Sequence, residues 1–273
     1  TDDWRWMLGV LALPSVLFAA LLYTIPESPR WLVLMGRDSD AGSVLSRIGD
    51  SNVTAALNQI KDSISQTEIS EPLFQKKYWK PILIAFFVAT FNQLSGINAI
   101  NYYAPRILEA AGVFRESALL QSIFIGMTNL IFTMLGMVVI DKFGRKNLLY
   151  IGSVFMTIAL LSVAAGFKYE SLGGYYMLFS LMLYIAAFAM SLGAVIWVLI
   201  SEVFPTSVRA KGQVFGSMTH WAWCAILTWV FPTLVESGLS VPTFCFFAIM
   251  AALTFVFALK IPVTKNKSLE EIQ

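Results

Sequence analysis

Four amides and two phenols, Asn92, Gln93, Asn98, Asn101, Tyr102 and Tyr103, crowd into residues 91–104 without a single charged side chain. The flanking sequence is apolar and long enough to cross a bilayer, where an unsatisfied polar group is expensive. A face of this kind must look into a protein interior or a wet cavity. Amides donate and accept at once, and aromatic rings offer flat apolar platforms. The set therefore suits a neutral polyhydroxylated ligand, such as a sugar, far better than an ion. On a helix Asn98, Asn101 and Tyr102 share one face, being three and four apart. Gln93 lies well round from them unless a break at Gly96 redirects it. Asn129, beside Thr128, is the only Asn of its apolar span. Trp197 and Trp221 sit mid-span rather than at the bilayer edges where tryptophan gathers. His220 is the only histidine. A neutral, hydrogen-bonding ring is its expected role, since burial favours the neutral form, and an intramembrane proton site is the sharper alternative.

The elements that position these groups follow from hydropathy. Of the 273 residues 57% are hydrophobic and 13% charged, far from the balance of a soluble domain. Windows of about 20 residues give seven spans, near 6–25, 81–104, 118–140, 147–167, 175–201, 212–235 and 241–260. Segments 26–80, 141–146, 202–211 and 260–273 hold all of the 19 Lys and Arg except Arg5, Arg106, Arg115 and Lys168. The positive-inside rule then places segment 26–80 and the C-terminus in the cytoplasm, with Thr1 outside. Within 26–80, Ser28-Pro29 reads as a helix start. Ala41, Val44, Leu45 and Ile48 recur at helical spacing, as do Val53, Leu57, Ile60 and Ile64. Short amphipathic surface helices are the expectation there. Cys224 and Cys245 fall within spans and read as small hydrophobes rather than a disulfide. Two spans carry interruptions, Ser95-Gly96 in the second and Ser191-Leu192-Gly193 in the fifth. Broken helices at matching places in paired triplets point to a transporter's midplane site, although glycine also serves close helix packing.

Five motifs in order carry a specific resemblance. They are Pro26-Glu27-Ser28-Pro29-Arg30-Trp31; Gln93-Leu94-Ser95-Gly96-Ile97-Asn98 with Tyr102-Tyr103; Asp141-Lys142-Phe143-Gly144-Arg145-Lys146; Glu202-Val203-Phe204-Pro205 with Arg209; and Pro262-Val263-Thr264-Lys265 with Ser268-Leu269-Glu270-Glu271. On these the chain resembles the sugar porters of the major facilitator superfamily, over essentially its whole length. The resemblance implies an all-α membrane protein with a partial major facilitator fold. Residues 1–25 would be the family's sixth transmembrane helix, 26–80 its cytoplasmic helical insert, 81–261 the C-terminal six-helix bundle and 262–273 a cytoplasmic tail. Helices one to five would be missing, together with the carboxylate on helix one that couples protons in family symporters. The start at Thr1 just before a span also reads as a piece of a longer protein.

By the same resemblance, Gln93 and Asn98 are the leading sugar contacts. Asn92 stands where a second glutamine is usual, and Asn129 matches a sugar-binding asparagine. Trp197 and Trp221 match tryptophans that line the cavity. Tyr102 belongs to the seventh-helix motif, and His220 occupies a position that is usually Asn or Gln. Ala189 replaces a glutamate that can contact sugar, which leaves the exact sugar open. Asp141, Arg145, Glu202 and Arg209 would form the cytoplasmic charge network that latches the two halves. The expected activity is monosaccharide transport by alternating access, with proton-coupled symport as its leading mode, the partners being a monosaccharide, protons, the bilayer and the absent N-terminal half. No cofactor, metal or nucleic acid is implied. A facilitative sugar, polyol or inositol carrier and a non-transporting sugar sensor stay open. An intramembrane enzyme is disfavoured, because the spans hold no carboxylate pair, metal-ligand cluster or nucleophile–base pair.

Overall fold

The computed structural model describes residues 3–10, 12–49, 52–66, 71–169, 172–205 and 207–260, and the side chain of Asp141 lies outside what is described. Every regular element among these residues is helical, and they fall into two compact units, Thr1–Ser70 and Glu71–Gln273.

The first unit holds α1 (Asp3–Val10), α2 (Ala12–Leu22), α3 (Pro29–Leu34), α4 (Asp38–Ile48) and α5 (Val53–Gln66). Of the expected span 6–25, α1 and α2 take 6–10 and 12–22, residue 11 lies outside the described residues, and residues 23–25 leave the helix. The apolar α2 is shorter than the membrane-crossing stretches of the second unit. Ser28 is the N-cap residue of α3 and Pro29 its first residue, where a missing N–H costs nothing. Gly49 closes α4 in the left-handed region at φ +92°. Leu32, Ala41 and Val44 form a small core against Val33 and Leu57. The expected amphipathic face of α4 is thus buried through Ala41 and Val44, while Ile48 stays exposed. An ion pair of Lys61 with Asp38 ties α5 to the start of α4.

The second unit is a bundle of long apolar helices. A single turn, Lys76–Tyr78, leads into α6 (Trp79–Leu94), followed by α7 (Ile97–Ala110), α8 (Arg115–Phe143) and α9 (Arg145–Lys168). Next come α10 (Gly173–Phe188), a π-helical segment Ala189–Gly193, α11 (Ala194–Val203), α12 (Arg209–Glu236) and α13 (Ser240–Lys260). Six stretches are long and apolar enough to cross a membrane: Lys76–Ala110, Arg115–Ile140, Arg145–Lys168, Gly173–Val203, Arg209–Glu236 and Ser240–Lys260. Each contains one of the spans expected from hydropathy. The most extensive pairings are α9 with α13, α9 with α10, and α6 with α12. The last of these carries the site.

Both sequence interruptions become breaks in helical geometry. Gly96 adopts φ +91° between α6 and α7, a conformation that L side chains rarely take. A Cβ there would also overlap the Phe247 ring of α13, so close packing demands glycine as well. Tyr184 of α10 braces the break: its fully buried hydroxyl donates to Ser95 O at 2.9 Å. In the fifth span the chain loosens into the π-helical segment, flanked by Gly136 of α8 and Gly152 of α9. A side chain at Gly152 would overlap Ser191. Such π-bulges are frequent at functional sites.

Candidate functional site

The break at Gly96 brings Gln93 and Asn98 together. Asn98 Nδ2 donates to Gln93 Oε1 at 3.2 Å, so the two ends of the sequence motif form one cluster. Gln93 Nε2 then lies 2.8 Å from His220 Nε2 and 3.2 Å from Nδ1, across the α6–α12 contact. The polarity of this chain is set at its start. With Asn98 donating to Gln93 Oε1, the Gln93 amide nitrogen faces the imidazole, and an N–H can bond there only to a ring nitrogen carrying a lone pair. In that orientation a ring nitrogen of His220 accepts from Gln93, which one depending on the tautomer. Asn98 Nδ2 also donates to Cys224 Sγ at 2.9 Å. Cys224, read from sequence as a small hydrophobe, is instead a polar partner of the site, one helical turn beyond His220. Both cysteines are free.

Aromatic rings border this cluster. The Trp197 ring on α11 lies 5.0 Å from the His220 ring, and Trp221 stands edge-on to it at 5.2 Å. Exposure divides the candidates into two groups. Gln93 is 0%, Asn92 2% and His220 8% exposed, whereas Trp197 is 45%, Tyr102 57% and Trp221 58% exposed. The tryptophans, Tyr102 and the half-buried Asn98 form the accessible surface, with Gln93 and His220 behind them.

The structure sets other sequence candidates elsewhere. Asn92 turns from its neighbour Gln93 and donates to Leu192 O, inside the π-helical segment, at 3.3 Å; its Oδ1 is buried with no hydrogen-bond partner among the described residues. Asn129 is half-buried on α8 and accepts from Thr133 Oγ1 at 3.5 Å, with no bond to the Gln93 cluster among the described residues. Trp223 is half-buried and donates from Nε1 to Thr90 on α6 at 3.1 Å.

At the opposite helix ends, Arg145 Nη2 donates to Glu202 Oε1 at 2.7 Å, both side chains being about four-fifths buried. Arg209 donates from Nε to Phe204 O at 3.4 Å, and its Nη2 has no partner among the described residues. Asp141 ends α8, and its side chain lies outside the described residues. Three groups that shape the site escaped sequence reading: Cys224, Tyr184 and the bond from Tyr103 OH to Thr228 O at 3.0 Å. Only the last had a local signal. Pro232 lacks the N–H that would bond the carbonyl four residues earlier, and that carbonyl is Thr228 O.

Comparisons agree with this architecture. Residues 1–273 match the family model described as "Sugar (and other) transporter". The arabinose-proton symporter of Bacillus subtilis (strain 168) is 36% identical over 274 residues, covering 99% of this chain and 59% of that protein. The D-xylose-proton symporter of Escherichia coli (strain K12) is 37% identical over 281 residues, covering 100% of this chain and 57% of that protein. A solved structure of a proton:xylose symporter of the major facilitator superfamily, bound to 6-bromo-6-deoxy-D-glucose, superimposes with a TM-score of 0.82 at 37% identity. That match covers 100% of this chain and 59% of the other. The chain thus spans less than two thirds of the length of these relatives. A family match from end to end, joined to the broken α6–α7 helix and its amide cluster, establishes that the chain belongs to the sugar porter family of the major facilitator superfamily.

Proposed function

We propose that the protein moves a monosaccharide across a membrane by alternating access, as a proton-coupled symport. The carrying observation is the Asn98–Gln93–His220 network bordered by the exposed faces of Trp197 and Trp221. Neutral amides match sugar hydroxyls, and indole faces match the C–H faces of a pyranose ring. Relatives named as arabinose-proton and D-xylose-proton symporters support both the sugar class and the coupling. His220, accepting from Gln93, serves hydrogen bonding here rather than proton carriage. Asn98, Tyr102, Trp197 and Trp221 contact sugar, Gln93 and His220 back them, Asn129 adds a polar group from α8, and Asn92 instead ties α6 to the π-helical segment. Asp141, Arg145, Glu202 and Arg209 form the cytoplasmic latch. Residues 1–25 act as a transmembrane helix, 26–80 as a cytoplasmic insert, 81–261 as the six-helix bundle and 262–273 as a cytoplasmic tail. The site is completed by a further bundle facing this one.

Uptake of radiolabelled pentoses and hexoses into proteoliposomes tests the proposal, with and without an inward proton gradient. Accumulation driven by the gradient, and its loss in Gln93→Ala and Asn98→Ala, is expected. Uptake indifferent to the gradient would replace symport by facilitation, and no uptake of any sugar by folded protein would reject sugar transport.

A further inference from the structure

Asn98 has two amide hydrogens, and the structure engages both: one points to Gln93 Oε1 at 3.2 Å, the other to Cys224 Sγ at 2.9 Å. The sulfur accepts through its own lone pairs, and Thr228 Oγ1, one turn further along α12, lies 3.9 Å from it, with either group able to donate in that contact. Gln93 cannot release its share easily, since it is fully buried and its amide nitrogen is committed to His220. What Asn98 retains for a ligand is Oδ1, which accepts and cannot donate.

We propose that Cys224, acting with Gln93, fixes Asn98 as an acceptor-only contact, so that the substrate hydroxyl facing it is selected as a hydrogen-bond donor. This rests on the sugar-transport function proposed above. Cys224 is a positioning residue: it acts through Asn98. It sits in a ladder on α12, where His220, Cys224 and Thr228 succeed one another at four-residue spacing and face Gln93, Asn98 and Tyr103 in turn. A site that satisfies its own donors before the ligand arrives discriminates through whichever polar atom is left over. An analogue unable to serve that atom leaves it buried and unpaired.

Deoxy and deoxyfluoro sugars separate the two polarities, because a C–F group can accept weakly but never donates. The full chain as its gene encodes it is reconstituted in liposomes. Deoxy and deoxyfluoro derivatives of D-xylose and D-glucose, one carbon at a time, compete against the radiolabelled parent sugar that is taken up. At one carbon both analogues should weaken competition by about tenfold. Cys224→Ala, which frees an N–H on Asn98, should improve the fluoro analogue relative to the deoxy one at that carbon by about threefold. Cys224→Ser keeps an acceptor and should reproduce the wild-type profile. If Cys224→Ala fails to insert, the wild-type and Cys224→Ser profiles still decide. Fluoro analogues that compete as well as the parent wherever deoxy analogues fail would overturn the acceptor-only assignment. An unchanged fluoro-to-deoxy ratio in Cys224→Ala would overturn the role of the thiol. Either result leaves sugar transport standing, whereas folded wild-type protein that no sugar engages rejects sugar transport and this inference together.

Discussion

His220 occupies the end of a one-way chain of hydrogen bonds, and its chemistry can be exchanged without disturbing the rest. A glutamine there offers a carbonyl acceptor to Gln93 Nε2, so His220→Gln should keep uptake within about threefold of wild type and remove any acid sensitivity that protonating the ring imposes. His220→Leu leaves the buried Gln93 amide without that partner and should cost about 1–3 kcal/mol of stability, read as a lowered unfolding temperature in detergent. Outside the membrane, Glu71 meets Lys77 and accepts from Tyr78 OH at 2.7 Å. The hydrogen bond from Lys77, then that from Tyr78, holds the Glu71 carboxyl below its ordinary range. The carboxylate's contribution is present above the ordinary carboxylate range and is lost as pH falls through its lowered value. Glu71 and Lys77 are both solvated, so the effect is local. Hydrogen-exchange protection of residues 71–78 should drop in acid while global stability holds, and Glu71→Gln should abolish that drop.

Helix breaks are where sequence and structure agree most closely, and for a physical reason. Ser95-Gly96 is legible because only glycine takes φ +91° cheaply, and a glycine amid apolar residues marks that need. Gly96→Ala combines that backbone strain with a clash against Phe247, and should destabilise by about 2–4 kcal/mol. Folded yield and unfolding temperature would show it, and a variant as stable as wild type would contradict the packing described. The fifth span is harder. Its Ser-Leu-Gly marks an irregularity, yet the π-helical register depends on Gly136 and Gly152 of two other helices, which no local pattern reveals. Gly152→Ala should destabilise by about 1–3 kcal/mol and be partly rescued by Ser191→Gly, a coupling visible in a double-mutant cycle of unfolding temperatures. Membrane spans were legible throughout the second unit because a bilayer imposes length and hydropathy on each helix separately. His220 and Trp221 on α12 were legible by resemblance, but the part of Cys224 was not, since Asn98 and Cys224 stand 126 residues apart and meet only when α6 and α7 pack on α12. For the same reason the sequence ranks Gln93 beside Asn98 as an equal, whereas packing buries one and leaves the other accessible.

For the whole molecule, the charge pair of Arg145 with Glu202 joins the start of α9 to the end of α11 at one end of the bundle. Neutralising Glu202 removes the charge–charge part of this partly buried pair. On the latch reading proposed above, Glu202→Gln should shift the balance between inward- and outward-open states by about 1 kcal/mol, a severalfold change in population measurable with paired spin labels across each face. The double exchange Arg145→Glu with Glu202→Arg should recover part of it.

Tyr103 sits at non-helical φ −114° just before Pro105 in α7, and its hydroxyl donates to the carbonyl that Pro232 strands in α12. The weak points of two helices thus share a single hydrogen bond and work as meshed gears. If the outer part of α7 swings, either α12 turns with it or Thr228 O is left bare, so bending at one proline is felt at the other.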